Sequence, residues 1–306
     1  MKRRLFPVAA LLFWSASLQA QTVDDGLMVP KKALFTGVTY GHDGWTDYWE
    51  GALKRTNQNI GTLTTQSVTW MANYGVTDRI NVIALVPYVS TRASGGTLHS
   101  QKGLQDLTVA AKYRLFEADF GTGGRALRGS VVASYGVPLS DYVADLLPLS
   151  IGLHSRQATG RLTLSYFSHG RWFADATGAY AWRSNVTLDR PSYFTDDQLF
   201  LTDQVSMPDV VVYAARVGYL KGGLMIPVTY VRQDTLGGGD IRRQDMPFVS
   251  NNMDFSKLDV VAMYTLPHPA HLAIRLDATR VLTGRNVGQS TTLSAGLLYT
   301  IHFSHK

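Results

Sequence analysis

The sequence predicts an all-β protein: a transmembrane antiparallel up-and-down β-barrel of about 12 strands, with short periplasmic turns and longer extracellular loops. Apolar and polar residues alternate with a period of two over segments of about 10–16 residues. Strands of soluble proteins usually have about five or six residues, whereas a tilted strand needs about 9–11 to cross a bilayer. In addition, short and long connections alternate, and tyrosine or tryptophan recurs near the segment ends.

The composition agrees with this fold class. Of 306 residues, 45% are hydrophobic and only 17% are charged. The charged fraction is below the roughly 25% of an ordinary soluble domain, and the apolar fraction argues against disorder. The chain has no cysteine, which excludes disulfides, thiolate metal sites and cysteine nucleophiles.

The first residues have the pattern of an export signal. Basic residues at 2–4 precede an apolar run at 5–18, and we place signal-peptide cleavage after Ala20, with Ser17 as the alternative. A membrane anchor is the other interpretation, but a spanning helix needs about 20 residues. Without residues 1–20 the formal charge falls from +6 to +3, which weakens any case for nucleic-acid binding.

The rest of the chain divides into a periplasmic N-terminal segment, 21–32, and an outer-membrane barrel, 33–306. Residues 21–32 are too few for a globular plug but could fold into the periplasmic mouth of the barrel. The predicted strands cover 33–42, 62–74, 79–92, 103–116, 127–139, 155–167, 171–188, 209–220, 223–234, 254–266, 271–282 and 290–303. The connection Glu117–Ala126 is an unusually long one among the short turns, and Pro227, inside a strand, predicts a bulge.

Aromatic residues lie near the chain-wise ends of 11 of the 12 segments. Because neighbouring strands run in opposite directions, these residues predict one aromatic girdle at each membrane surface. The ordinary β-propensity of aromatic residues is the alternative, although it would scatter them along the strands. The predicted girdle consists of Tyr40, Tyr74, Tyr88, Tyr113, Tyr135, Tyr166, Trp182, Tyr219, Tyr230, Tyr264 and Tyr299.

Charged residues of the strands fall on the face opposite the apolar one. An arginine or lysine facing lipid near the midplane would cost about 2–4 kcal/mol, so these side chains are predicted to face the lumen. Arg232 and Arg280 break the pattern, but both lie at outer strand ends. The predicted lumen-lining residues are Arg79, Lys112, Arg114, Arg128, Arg161, Asp175, Arg183, Arg216, Lys257, Asp259, Arg275 and Asp277.

The same face also carries apolar side chains, so the predicted lumen is mixed. Apolar groups beside arginines suit a solute with an apolar body and an anionic or hydroxyl group, such as a phenol or an aromatic acid. Alternatively, these side chains simply fill a narrow 12-stranded lumen. They are Met71, Ile83, Leu85, Val132, Val210, Val212, Met225, Val261, Met263 and Leu298.

The sequence contains no G-x-S-x-G, H-E-x-x-H or phosphate-binding loop motif. We therefore predict that the protein is not an enzyme and uses no metal or cofactor. The enzymatic alternative is an outer-membrane lipid hydrolase built on His154-Ser155, which lack a positioned third partner.

Two stretches resemble a family of Gram-negative outer-membrane proteins described as meta-pathway phenol-degradation proteins and labelled transporters. One is Tyr74-Gly75-Val76-Thr77-Asp78-Arg79 with Val86-Pro87-Tyr88-Val89, and the other is Gly103-Leu104-Gln105-Asp106-Leu107 with Lys112-Tyr113-Arg114-Leu115. The resemblance implies uptake of aromatic or other hydrophobic compounds. The C-terminal strand, ending in Phe303, also resembles the signal that the barrel-assembly machinery recognises, although three residues follow it.

These observations predict an outer-membrane channel of a Gram-negative bacterium for passive uptake of small hydrophobic or aromatic compounds. The alternatives are a filled structural or adhesive barrel and, less favoured, the lipid hydrolase. The expected partners are outer-membrane lipids, the barrel-assembly machinery and the solute, with no nucleic acid.

Overall fold

A computed structural model describes residues 22–121, 124–168, 171–195, 197–242 and 247–303, so the predicted signal peptide lies outside the described residues. Twelve long antiparallel strands form one sheet that closes on itself, which confirms the fold class. No helix in the described part of the chain is long and apolar enough to cross a membrane. The wall strands are β1 Ala33–Trp45, β2 Leu63–Gly75, β3 Ile80–Ala93, β4 Asp106–Phe120, β5 Arg125–Pro138, β6 Gln157–Ser168, β7 Trp172–Arg183, β8 Val210–Lys221, β9 Leu224–Thr235, β10 Asp254–Thr265, β11 Leu272–Arg285 and β12 Thr291–His302.

The two faces of the wall differ as the period-two pattern predicts. In β2, Met71 and Asn73 are buried inside the barrel, whereas Val68, Trp70 and Tyr74 point outward and are exposed. Such large apolar side chains recur on the outer face of the wall, where lipid replaces water as the neighbour. Closure pairs β1 with β12 from Ala33 opposite His302 onward, so no edge strand is left unpaired.

The predicted long turn at Glu117–Ala126 is wrong. Strand β4 continues to Phe120 and β5 begins at Arg125, so only 121–124 connect them. The register shifts between Arg114 and Phe116, and this bulge interrupts the period-two pattern in the sequence. The interruption made the strand look finished before it ends.

The bulge predicted at Pro227 is also wrong. Pairing between β9 and β10 skips this position, but the register is the same on both sides, with Met225 opposite Met263 and Val228 opposite Val260. Proline lacks the N–H that a ladder bond needs, so the sheet loses hydrogen bonding there without changing its alignment. Bulges occur instead between Arg114 and Phe116 and between Ser256 and Lys257.

The outer loops pack together over one end of the barrel. We define the loop cap as the described residues of 139–156, 184–209 and 236–253. Its apolar cluster contains Ala144, Val186, Leu188, Tyr193, Val205, Met207 and Val249, with Leu147, Leu153, Phe200 and Phe248 packed against it. Buried apolar side chains from all three loops give the cap its own small core.

Arginine–aspartate pairs join the loops of the cap to one another and to the wall. Arg190 Nε lies 3.0 Å from Asp145 Oδ2, and Arg285 binds Asp240 through two hydrogen bonds of 2.6–2.7 Å. Hydrogen bonding from Arg285 lowers the pKa of the Asp240 carboxyl. Asn286 adds hydrogen bonds to Asp240 and neighbouring backbone, so this loop is tied down on several sides.

The opposite end is filled by the chain's own start. We define the N-terminal plug as Thr22–Pro30, which forms part of the predicted periplasmic segment 21–32. Its Leu27 and Val29 are 4% and 1% exposed. They pack inside the barrel against residues at the short-turn ends of the strands, so the plug occupies the periplasmic half of the lumen.

Candidate functional site

A row of inward-facing polar side chains, which we call the polar belt, crosses the whole wall. Each of the twelve strands contributes one residue, and each residue lies directly opposite the next in the neighbouring strand. Because the strands of a barrel are staggered, the belt winds from the periplasmic end of β4 to the outer end of β3. In order it consists of Glu117, Arg128, Ser165, Asp175, Arg216, Thr229, Asp259, Thr279, Thr292, Asp43, Thr65 and Thr91.

Charged members of the belt are hydrogen-bonded to their neighbours along it. The donor–acceptor pairs are Arg128 to Glu117 at 2.7 Å, Arg216 to Asp175 at 3.4 Å, Arg216 to Thr229 at 3.1 Å, Thr279 to Asp259 at 2.6 Å and Thr292 to Asp43 at 2.6 Å. Positive and negative groups alternate with hydroxyls, so the belt offers donors and acceptors of both signs to the interior.

Lys112 fastens the plug to the wall. Its side chain is fully buried, and its Nζ donates to the Asp25 carboxylate at 3.0 Å and to the backbone carbonyls of Asp25 and Leu27 at 2.8 and 3.1 Å. It also donates to the carbonyl of Thr22. A second cation, Arg161, lies 2.9 Å from Asp24. The ammonium group therefore makes more hydrogen bonds than any single surface ion pair would supply.

Below this ionic contact, an apolar collar surrounds the plug. We define the collar as the side chains clustered with Leu27 and Val29: Ala33, Phe35, Met71, Ala126, Phe167, Phe173, Met225, Met263, Ala273 and Leu298, with Leu85 and Leu220 packed against them. Several of these are the apolar lumen residues that the sequence predicts. The plug fits closely, because a Cβ on Gly26 would lie 2.0 Å from Ser165 Oγ.

The predicted lumen residues fall into three groups according to what they contact. Lys112 and Arg161 touch the plug, Arg128, Asp175, Arg216 and Asp259 belong to the polar belt, and the others lie near the rims or pair with one another. Arg114 binds Glu117, Arg275 binds Asp277, Arg183 donates to Gln157, and Lys257 lies 5.8 Å from the Phe255 ring centroid.

Arg79 lies just outside a wall strand, and its contact with the lumen stays a prediction. It precedes β3 in the exposed turn at 76–79, and its backbone N–H donates to Thr77 Oγ1 at 3.1 Å. The side-chain alternation of a strand does not extend into a turn, so parity carries no information at this position.

The eleven predicted girdle residues all point away from the lumen. Tyr40, Tyr88, Tyr135, Trp182 and Tyr230 lie towards the loop-cap end, and Tyr74, Tyr113, Tyr166, Tyr219, Tyr264 and Tyr299 lie towards the short-turn end. Two aromatic residues that the sequence reasoning left out of the girdle join the second group. Trp172 packs on Tyr219 with ring centroids 5.0 Å apart, and Phe303 packs on Tyr74 at 6.2 Å. Contact with membrane headgroups and with the assembly machinery stays a prediction.

The His154-Ser155 pair has no geometry for nucleophilic catalysis. Ser155 is 7% exposed and its hydroxyl donates to the carbonyl of Ser184 at 2.6 Å. The His154 ring instead lies against Tyr142, and its Nε2 is 3.9 Å from Asp141. Burial raises the pKa of Tyr142. Within the described ranges no group of three His, Asp or Glu side chains is placed to hold a metal.

A closed antiparallel barrel with an outward apolar band, aromatic rims and a polar interior defines a transmembrane protein of the bacterial outer-membrane type. Residues 53–202 match the model of the family described as "Putative MetA-pathway of phenol degradation". This match covers just under half of the chain, and it agrees with the resemblance on the two motifs around Tyr74 and Gly103.

A solved structure shares the fold. An outer membrane channel from Pseudomonas putida F1 superimposes with a TM-score of 0.69 at 15% identity, over 92% of this chain and 100% of that one. The translocator domain of the autotransporter NalP from Neisseria meningitidis gives a TM-score of 0.45 at 9% identity, over 90% of each chain. At these identities the similarity concerns the barrel alone. Among curated proteins, none matches this chain.

Proposed function

We propose that the protein is a passive outer-membrane channel for small hydrophobic or aromatic solutes of the phenol or aromatic-acid type. One observation carries the proposal: the interior already binds a carboxylate next to apolar side chains. Lys112 holds Asp25, while the collar holds Leu27 and Val29 within the same short segment. An aromatic acid presents the same two features, and a phenol replaces the carboxylate with a hydroxyl.

The N-terminal plug, which blocks the lumen, belongs to the same chain as the barrel but is not one of the wall strands. The plug joins β1 only through Lys31 and Lys32, and side-chain contacts hold the rest of it. A solute that competes for Lys112 and for the collar would therefore loosen the plug. The polar belt supplies hydrogen-bonding partners on every strand of the barrel. A polar group of a solute that passes through the lumen therefore need not lose its hydrogen bonds.

A liposome-swelling assay tests this proposal. Proteoliposomes containing the mature protein would be placed in isosmotic sodium benzoate, phenol or arabinose, and the rate of swelling followed by light scattering. We expect benzoate and phenol to enter faster than the sugar, after subtraction of the flux through protein-free vesicles. A variant lacking residues 22–30 should admit all three, because the collar and Lys112 then line an open passage.

The outcomes separate the alternatives. Equal rates for benzoate and arabinose in the intact protein would contradict selectivity for aromatic solutes. Impermeable vesicles from both the intact and the plug-deleted protein would contradict a channel and favour a filled scaffold. The packed loop cap is the observation that favours such a scaffold, since its three loops pack on one another around an apolar core of their own.

A further inference from the structure

The outer rim over β1–β3 carries a band of outward side chains that the transport proposal leaves unused. Four large apolar residues lie opposite one another across neighbouring strands, with the short strand Lys102–Leu104 as the last of them. They are Tyr40, Val68, Tyr88 and Leu104, each 42–46% exposed. This row marks the upper limit of the lipid-facing surface in this sector.

The character of the surface changes abruptly two residues further out. The next outward row is His42, Gln66, Ser90 and Lys102, again directly opposite one another. One more step along the strands brings Thr64 opposite Arg92. Each step of two residues is about 7 Å, so the polar rows begin at headgroup distance from the apolar one. Threonine, glutamine, serine and Arg92 side chains here line a depression of about 420 Å³.

The two cations of this surface have no partner of their own. Neither Arg92 nor Lys102 forms an ion pair or a side-chain hydrogen bond within the described ranges, and both are exposed. Two other arginines of the outer rim are paired with carboxylates, Arg232 with Asp234 and Arg285 with Asp240. Asp43, which follows His42 in β1, faces the lumen and accepts a hydrogen bond from Thr292. The positive charges of Arg92 and Lys102 are therefore not neutralised by ion pairs within this surface.

An apolar groove adjoins the polar rows on the side of β12. It has a volume of about 580 Å³ and shares Tyr40 and His42 with the rim. Its floor consists of small side chains from three neighbouring strands, and larger side chains form its sides. The floor residues are Ala262, Ala278 and Ala295, and the side residues are Val260, Leu276 and Leu293. The outward face is apolar at this depth, so the groove opens into the hydrocarbon of the membrane.

We propose that this rim binds a phosphorylated glycolipid of the outer leaflet. An acyl chain would lie in the alanine-floored groove, and the tyrosines would meet the junction between chain and headgroup. Arg92 and Lys102 would pair with a phosphate, for which guanidinium and ammonium groups are the usual protein ligands. Sugar hydroxyls would exchange hydrogen bonds with Thr64, Gln66 and Ser90. An apolar groove, a hydroxyl-rich depression and unpaired cations match one such lipid better than either a free phosphate or a simple phospholipid.

The test uses native mass spectrometry of the folded barrel in detergent, titrated with bisphosphorylated lipid A. Dephosphorylated lipid A, phosphatidylglycerol and inorganic phosphate serve as comparison ligands. We expect Arg92→Gln with Lys102→Gln to weaken lipid A binding by about ten-fold or more, as expected for lost charge-assisted hydrogen bonds. Ala278→Leu with Ala295→Leu should weaken it by filling the groove. Arg156→Gln is the matched control, since Arg156 is also exposed at the outer rim but lies outside this sector.

Lipid A bound at least ten-fold more tightly than phosphatidylglycerol, together with the loss in both double variants and not in the control, would support the site. The proposal is overturned if phosphatidylglycerol binds equally well, if inorganic phosphate displaces lipid A, or if the Arg92 and Lys102 variant binds as the unmodified protein does. The shift in gel mobility on heating shows that each variant is a folded barrel, so a loss of binding cannot be attributed to misfolding.

Discussion

Replacing Lys112 with methionine should open the periplasmic half of the barrel. The substitution keeps most of the length of the side chain but removes every hydrogen bond that Lys112 donates to the plug, including the contact with Asp25 at 3.0 Å. Removing one partner of a buried pair typically costs about 3–5 kcal/mol, because the other charge is left uncompensated. Asp25 is relieved of that cost when the plug leaves the lumen and the carboxylate is hydrated again. About 3 kcal/mol corresponds to more than a hundred-fold change in the ratio of inserted to released plug.

Single-channel recording in planar bilayers measures this ratio directly. We expect rare openings in the unmodified protein and a predominantly open state in Lys112→Met. Lys257→Met is the matched control, because Lys257 also faces the lumen and contacts a phenylalanine ring rather than the plug. Combining Lys112→Met with Asp25→Leu should restore much of the closed state, since an apolar pair can replace a buried ion pair. Unchanged opening in Lys112→Met, or equal opening in the control, would refute the reasoning.

Three further outcomes are expected. Gly26→Ala should loosen the plug, because its Cβ would lie 2.0 Å from Ser165 Oγ and, with that hydroxyl turned away, still 3.1 Å from Ser165 Cβ; cleavage of the plug by an added protease should then rise above that of the unmodified protein. The lowered pKa of Asp240, caused by Arg285, means that this pair stabilises the cap above the ordinary aspartate pKa of about 3.9 and is lost as the pH falls further. The protection of that loop against hydrogen exchange, measured relative to the intrinsic exchange rate at each pH, should accordingly fall below about pH 4, and unchanged protection would argue against the pair. Lipid hydrolysis in micelles should stay at background both in the unmodified protein and in Ser155→Ala, whereas serine-dependent hydrolysis would revive the enzymatic alternative.

The strands could be predicted from the sequence because the alternation of apolar and polar residues that marks them is a local pattern. Each wall strand faces lipid on one side and the interior on the other, so the alternation appears wherever the backbone is regular. It misled at β4, where the bulge before Phe116 changes the parity, and at Pro227, where neighbouring pairs hold the register without a bulge. Arg79 shows the same limit, because a turn residue has no strand face.

The side chains and the plug that fill the lumen were harder to predict from the sequence, since their arrangement depends on contacts between residues far apart in the chain. Met71 and Met263 were interpreted as lining for a solute, yet in the structure they pack around Leu27 and Val29. Nothing in the local pattern around Lys112 indicates that its partner is Asp25, 87 positions earlier. The polar belt was found only in part, because its threonines are common in any strand and gain meaning from their alignment across the sheet.

The polar belt also constrains how the barrel can close. A strand shifted by one residue presents its opposite face, so a slip at any seam would turn a belt residue towards lipid and bring a leucine or valine inside. Since every strand contributes one member, the row crosses eleven of the twelve seams; it does not cross the seam between β3 and β4, where Thr91 and Glu117 lie at opposite ends of the barrel. The last seam, between β1 and β12, joins Asp43 to Thr292 by a 2.6 Å hydrogen bond. That bond forms only when β1 and β12 are in register, so the belt favours correct closure of the barrel as well as giving it a polar lining.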